Sequence, residues 1–161
     1  MEIINEASEK FRDMQDEVCE FLFGILRQLN ELESEVYERS EELKKDRPEP
    51  HIMAPGEDEL WDEYGERVKE ILKSCCTEKL LTRGYGMSFS KRGKYSYIDS
   101  DCRVNFIMKS AKKAVVETHF NNGIDEQNKF VIINKDGKWF LDEFYYGFAI
   151  KPDKWHISNI N

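Results

Sequence analysis

Lys129-Phe130-Val131-Ile132-Ile133-Asn134-Lys135-Asp136-Gly137-Lys138-Trp139-Phe140-Leu141-Asp142 decides the fold of this chain. Asp136-Gly137 is the residue pair that a two-residue hairpin turn favours, because both central positions need positive φ, which glycine adopts freely and aspartate tolerates. Apolar and β-branched residues flank the turn, so strands are expected at residues 129–134 and 139–146. Upstream, Ala114, Val116, Thr118 and Phe120 share one face of a preceding strand. Before that, Cys102, Val104, Phe106 and Met108 alternate with Arg103, Asn105 and Lys109, with a tight turn at residues 110–113. A polar loop is expected at residues 121–127 and a short extended segment at residues 155–160. The second half therefore reads as an antiparallel meander, preceded by an irregular stretch at residues 82–101.

The first half changes period. Phe11, Val18, Leu22, Ile25, Leu29, Leu32, Val36 and Leu43 recur mostly at steps of three, four or seven, the stripe of one amphipathic helix over residues 5–45. Asn5 or Ser8 is available as a cap, and Pro48 and Pro50 forbid continuation. A helix of that length would reach about 60 Å, longer than a domain of this size is wide. The expectation is a break near Gly24, or a helix that projects and pairs with a second copy. A second helix opens on Glu57, Asp58 and Glu59, acids that suit a helix N-terminus, and carries Trp61, Tyr64, Val68, Ile71, Leu72 and Cys75 on one side. Helices followed by a meander predict an α+β fold with N-terminal helices packed on a curved antiparallel sheet. One domain is expected over residues 1–161, with a long acidic helix in 1–46, a second helix at 57–76 and mainly strands over 80–161.

Composition narrows the function classes. The chain is 161 residues long, and 40% hydrophobic content argues against wholesale disorder despite 35% charge. Its best apolar run, Phe21-Leu22-Phe23-Gly24-Ile25-Leu26, stops at Arg27, and the N-terminus lacks the pattern of a secretory signal. A cytoplasmic, non-membrane protein is the expectation. Cys19, Cys75, Cys76 and Cys102 have spacings that suit neither a disulfide framework nor a zinc knuckle, and His51, His119 and His156 lie away from them. Neither metal nor cofactor is therefore expected. Residues 1–80 carry 11 Lys/Arg against 23 Asp/Glu, which disfavours direct nucleic-acid binding and suits a basic protein partner.

Catalytic constellations are sparse. His119 with Asp99 or Asp101, and Tyr95 or Tyr97, are the best acid–base candidates. Strand alternation, however, turns His119 away from the Val116 face, towards Glu117 and Val115. Asp99-Ser100-Asp101 reads more simply as a turn than as a metal loop, since Cys102 begins a strand where further ligands should follow. The basic-aromatic stretch from Arg83 to Tyr97 is too weak a signal for nucleic acid in so acidic a chain, and no phosphate-loop or nucleophile-elbow motif occurs.

The runs Lys113-Ala114-Val115-Val116-Glu117-Thr118, Lys129-Phe130-Val131-Ile132, Lys135 through Asp142 and Trp155-His156-Ile157 resemble bacterial immunity proteins of the nuclear transport factor 2-like fold. The resemblance covers roughly residues 60–160. It implies a cone, in which helices pack into the concave side of a curved sheet. It also implies a non-enzymatic function: binding the toxin domain of a polymorphic toxin system and blocking its active site. The same cone also serves dehydratases, isomerases and epoxide hydrolases, so a small-molecule enzyme or ligand binder is the first alternative. A helical dimer or adaptor, a homodimer through the first helix, is the second. For the immunity reading, the expected partner-binding residues are two carboxylate stripes at helical spacing, Glu31, Glu35, Glu38 and Glu42, and Asp58, Asp62 and Glu66. Tyr145 and Tyr146 are expected to add aromatic contacts. A basic nuclease is the expected kind of toxin.

Overall fold

The hairpin around Asp136-Gly137 forms as the residue pair dictates, with φ of 53° and 83° at the two positions. In the computed structural model, which describes residues 1–161, it joins β4 (Asp125–Lys135) to β5 (Lys138–Phe148). β2 (Cys102–Ser110), β3 (Lys113–Asn121) and β6 (His156–Ile157) complete the meander. β1 (Glu2–Asn5) adds to the far edge, giving a six-stranded sheet in chain order. All neighbours are antiparallel except β1 and β2, which run parallel.

One row of side chains crosses the sheet: Phe106 opposite Val116, Val116 opposite Phe130, Phe130 opposite Phe144. All four are fully buried, and the Phe130 and Phe144 rings lie 5.1 Å apart. Asp142 is an extra residue in β5, since Val131 faces Glu143 while Ile132 faces Leu141. Such a bulge bends the strand and helps to curve the sheet.

The first helix differs from expectation. Residues 2–5 are strand, Glu9–Met14 is a 3₁₀ turn, and α1 runs from Gln15 to Lys44. The cause is Asn5, whose side chain accepts the Ala7 N–H at 3.0 Å and donates to the Arg12 carbonyl at 2.9 Å, turning the chain where a helix was expected to begin. Nor does the helix break at Gly24. Leu22, Phe23, Ile25 and Leu26 around it are all buried, and their packing holds one continuous helix of about 45 Å.

α2 (Glu57–Lys73) packs beside α1. It is shorter than expected because Cys75 and Thr77 turn to bond with Leu141 in β5, and α3 (Glu78–Leu81) follows. The loop expected at residues 121–127 is likewise shorter, as β4 starts at Asp125. Val18, Leu22, Leu26, Leu29 and Val36 of α1, with Tyr64, Val68 and Leu72 of α2, share one core with the inner sheet row.

Candidate protein-interaction surface

Three regions present chemistry: the interior of the cone, the outer face of the sheet and the outward face of the helices. The interior is filled. Tyr95, Tyr97, Phe106, Phe130 and Phe144 occupy it, with Ile160 and Asn161 buried beside them. Tyr64 donates to the Asn161 side-chain oxygen at 2.8 Å. The Tyr97 hydroxyl bonds Thr118 at 2.9 Å and accepts from Asn128 at 2.8 Å, so its hydrogen-bonding capacity is already engaged. Burial raises the Tyr64 and Tyr97 hydroxyls above their ordinary range.

What stays open is a polar pocket of about 390 Å³ at the mouth, lined by Glu33, Ser90, Lys94, Tyr97 and Phe120 among others. Glu33 is buried and its pKa is raised, desolvation outweighing its hydrogen bonds. Its oxygens accept the main-chain N–H groups of Ser90 and Lys94, both at 3.2 Å, so the carboxylate is committed to holding the loop. His119 lies on the outer sheet face, half-buried, its Nε2 3.9 Å from Glu117. Asp99 pairs with Arg27 at 3.1 Å. The four cysteines are free and buried, and burial pushes Cys19 up to about 12 and Cys102 up to about 11. Neither of these two is a thiolate nucleophile at neutral pH.

Tyr145 and Tyr146 are neighbours in β5 and point to opposite faces. Tyr145 donates to Glu143 on the outer face, with the Lys129 ammonium 4.8 Å from its ring and from that of Trp155. Tyr146 is 41% exposed and stacks on His156 at 5.0 Å. The two tyrosines form no shared patch.

The carboxylate stripes lie on the helices. Glu31, Glu35, Glu38 and Glu42 are all exposed on the side of α1 turned away from the sheet. Glu35 pairs with Arg67 of α2, and Glu42 with Lys45 at 2.8 Å, whereas Glu31 and Glu38 have no ion-pair partner. Asp58, Asp62 and Glu66 are exposed on α2 and also unpaired. Glu63 and Arg67, by contrast, reach Arg39 and Glu35 of α1. Between α1 and α2 runs a groove of about 780 Å³, with Phe21, Gly24, Ile25 and Leu32 on one wall and Arg67, Glu70 and Ile71 on the other. Glu31 and Glu35 rim it; Glu38, Glu42, Asp58, Asp62 and Glu66 lie outside it.

Residues 17–159 match the family model described as NTF2 fold immunity protein, which spans both helices and nearly the whole sheet. The chain belongs to that family. No curated protein and no solved structure gives a significant match. No helix of this immunity protein is long and apolar enough to cross a membrane.

Proposed function

We propose that the protein neutralises a cognate bacterial toxin domain in the cytoplasm by binding it and covering its active site, without catalysis of its own. The observation that carries this reading is the outward face of α1, where Glu31 and Glu38 stand exposed and unpaired in a stripe completed by Glu35 and Glu42. Unpaired carboxylates on a helix are complementary to a basic cleft, the kind a nuclease uses to hold phosphates. They steer association and select the partner. Asp58, Asp62 and Glu66 on α2 extend the same negative field. A partner seated on the outward face of the helices lies away from Tyr145 and Tyr146 on β5, so these two are secondary contacts at most.

The enzyme alternative draws on Glu33, a buried carboxylate at the mouth pocket. It is the weaker reading, because that carboxylate already accepts the main-chain N–H groups of Ser90 and Lys94 and so holds the loop in place. A homodimer through α1 would bring like-charged stripes together, which opposes it.

The test is co-expression. The C-terminal region of the protein encoded immediately upstream is expressed in a bacterium with and without this chain. Growth arrest relieved by the chain, with co-purification of the pair, is the expected result. Arrest that persists, with no co-purification, overturns the proposal.

A further inference from the structure

Gly24 lies in the middle of a 30-residue helix, and beyond the backbone of its own helical turns a Cβ built on it would meet nothing within 4 Å. Glycine in a helix interior is less stable than alanine, through backbone entropy. A close neighbour explains a glycine elsewhere in the chain: at Gly86, in the loop after α3, φ is 66° and an added Cβ would come within 3.1 Å of the Gly65 backbone. Gly24 has no internal reason of that kind. It sits instead on the wall of the open groove between α1 and α2, beside Phe21 and Ile25. It also lies seven residues, two helical turns, before the unpaired Glu31.

We infer that the groove between α1 and α2 is where the toxin docks. A basic segment of the toxin lies along it, one large apolar or aromatic side chain resting over the Gly24 backbone and lysine or arginine side chains reaching Glu31 and Glu70. This rests on the immunity reading and assigns its site. The groove supplies both halves of a recognition surface: an apolar floor from Phe21, Ile25 and Ile71, and a rim whose three carboxylates face a single cation, Arg67. Arg67 is already paired with Glu35, so Glu31 and Glu70 remain for the partner's cations. A second copy of this chain fits poorly, because its own helices would present the same carboxylates to the rim. A basic partner with an apolar anchor fits both features, and a buried anchor of that kind usually dominates binding energy.

The inference is tested with Gly24→Trp, Gly24→Ala and, as a control on the turn between β5 and β6, Lys151→Trp. Affinity for the toxin domain encoded upstream is measured by calorimetry, together with the thermal midpoint and sedimentation of each variant alone. Because a Cβ at position 24 meets no other part of the chain and opens into the groove, both substitutions should fold, and Gly24→Ala should melt a few degrees higher than the natural protein. Gly24→Trp is expected to weaken toxin binding at least tenfold and abolish growth rescue, Lys151→Trp to bind like the natural protein, and Gly24→Ala to fall between. Binding by Gly24→Trp within twofold of the natural protein overturns the groove and leaves the immunity reading standing. So does a natural dimer that Gly24→Trp dissociates without loss of toxin binding, which makes a second copy the occupant. Failure of the natural protein itself to bind the toxin overturns the immunity reading, and the inference with it.

Discussion

Lys94 donates its main-chain N–H to Glu33 Oε1 at 3.2 Å, tying the middle of α1 to a loop 61 residues further along the chain. Ser90 completes the tie through its own N–H, at 3.2 Å to the other carboxylate oxygen. Glu33→Ala removes both acceptors and leaves the part-buried Ser90 and Lys94 N–H groups without their partner. It is expected to cost about 1–3 kcal/mol, measured by urea unfolding. Burial raises the Glu33 pKa above its ordinary 4.5, so the folded state takes up the proton first. Its contribution is greatest below 4.5 and is lost as pH rises through the raised folded value. The stability gap between the natural protein and Glu33→Ala should therefore widen between pH 7 and pH 4.5.

Arg47 and Glu57 should respond to acid in the opposite sense. The guanidinium meets the carboxylate with two bonds, Nε to Oε2 at 2.9 Å and Nη2 to Oε1 at 2.5 Å, where the loop between the helices enters α2. The same carboxylate accepts the Ala54 N–H. Hydrogen bonding to Arg47 holds the Glu57 pKa below 4.5. Its stabilisation is present above 4.5 and disappears as pH falls through the lowered folded value. Arg47→Ala should lower the thermal midpoint at pH 7, and its difference from the natural protein should close on acidification. A gap that widens instead would show that the clamp does not govern this joint.

These two ties also mark the limit of what could be read from sequence. Asp136-Gly137 and the alternation from Cys102 onward are local signals, and the α+β order follows from them. β1 carries no such signal: four residues paired in parallel to a sheet edge show no period, and only Asn5 hints at the turn after them. Gly24 reads as a weak point because propensity sees the residue and not the buried neighbours that hold its helix. The stripe of Glu31, Glu35, Glu38 and Glu42 is legible from spacing alone. Which of its members rim a groove is not, since that depends on the lateral packing of α1 against α2. Glu70 and Arg67 enter the site for the same reason, without any pattern of their own. That Tyr145 and Tyr146 diverge was implied by strand alternation, yet their roles depend on which layer covers each face.

The filled cone gives a prediction with a larger magnitude. Phe144 is fully buried, lies 5.1 Å from Phe130 and 6.2 Å from Tyr95, and is the last aromatic of the inner row. Phe144→Ala should cost about 3–5 kcal/mol, a large share of the roughly 5–15 kcal/mol that domains possess. Calorimetric unfolding measures it. A loss below about 1 kcal/mol would mean that the interior collapses easily onto the gap and is less tightly packed than the ring contacts indicate.

Charge on the helices should act on the rate of association more than on the lifetime of the complex. Glu38 and Glu42 stand on α1 outside the groove, exposed and free to be reversed without disturbing the core. Glu38→Lys with Glu42→Lys is expected to slow association with the toxin domain by about tenfold at low salt, while dissociation changes little. Because the effect is long-range Coulombic, it should shrink as the Debye length falls from about 10 Å at 0.1 M salt to about 3 Å at 1 M. Stopped-flow association at several salt concentrations separates the two effects. If the slowing persists at high salt, these residues touch the partner and the docking surface extends beyond the groove along α1. If association is unchanged even at low salt, the acidic face of the helices does not steer the partner, and the basic character assigned to it fails.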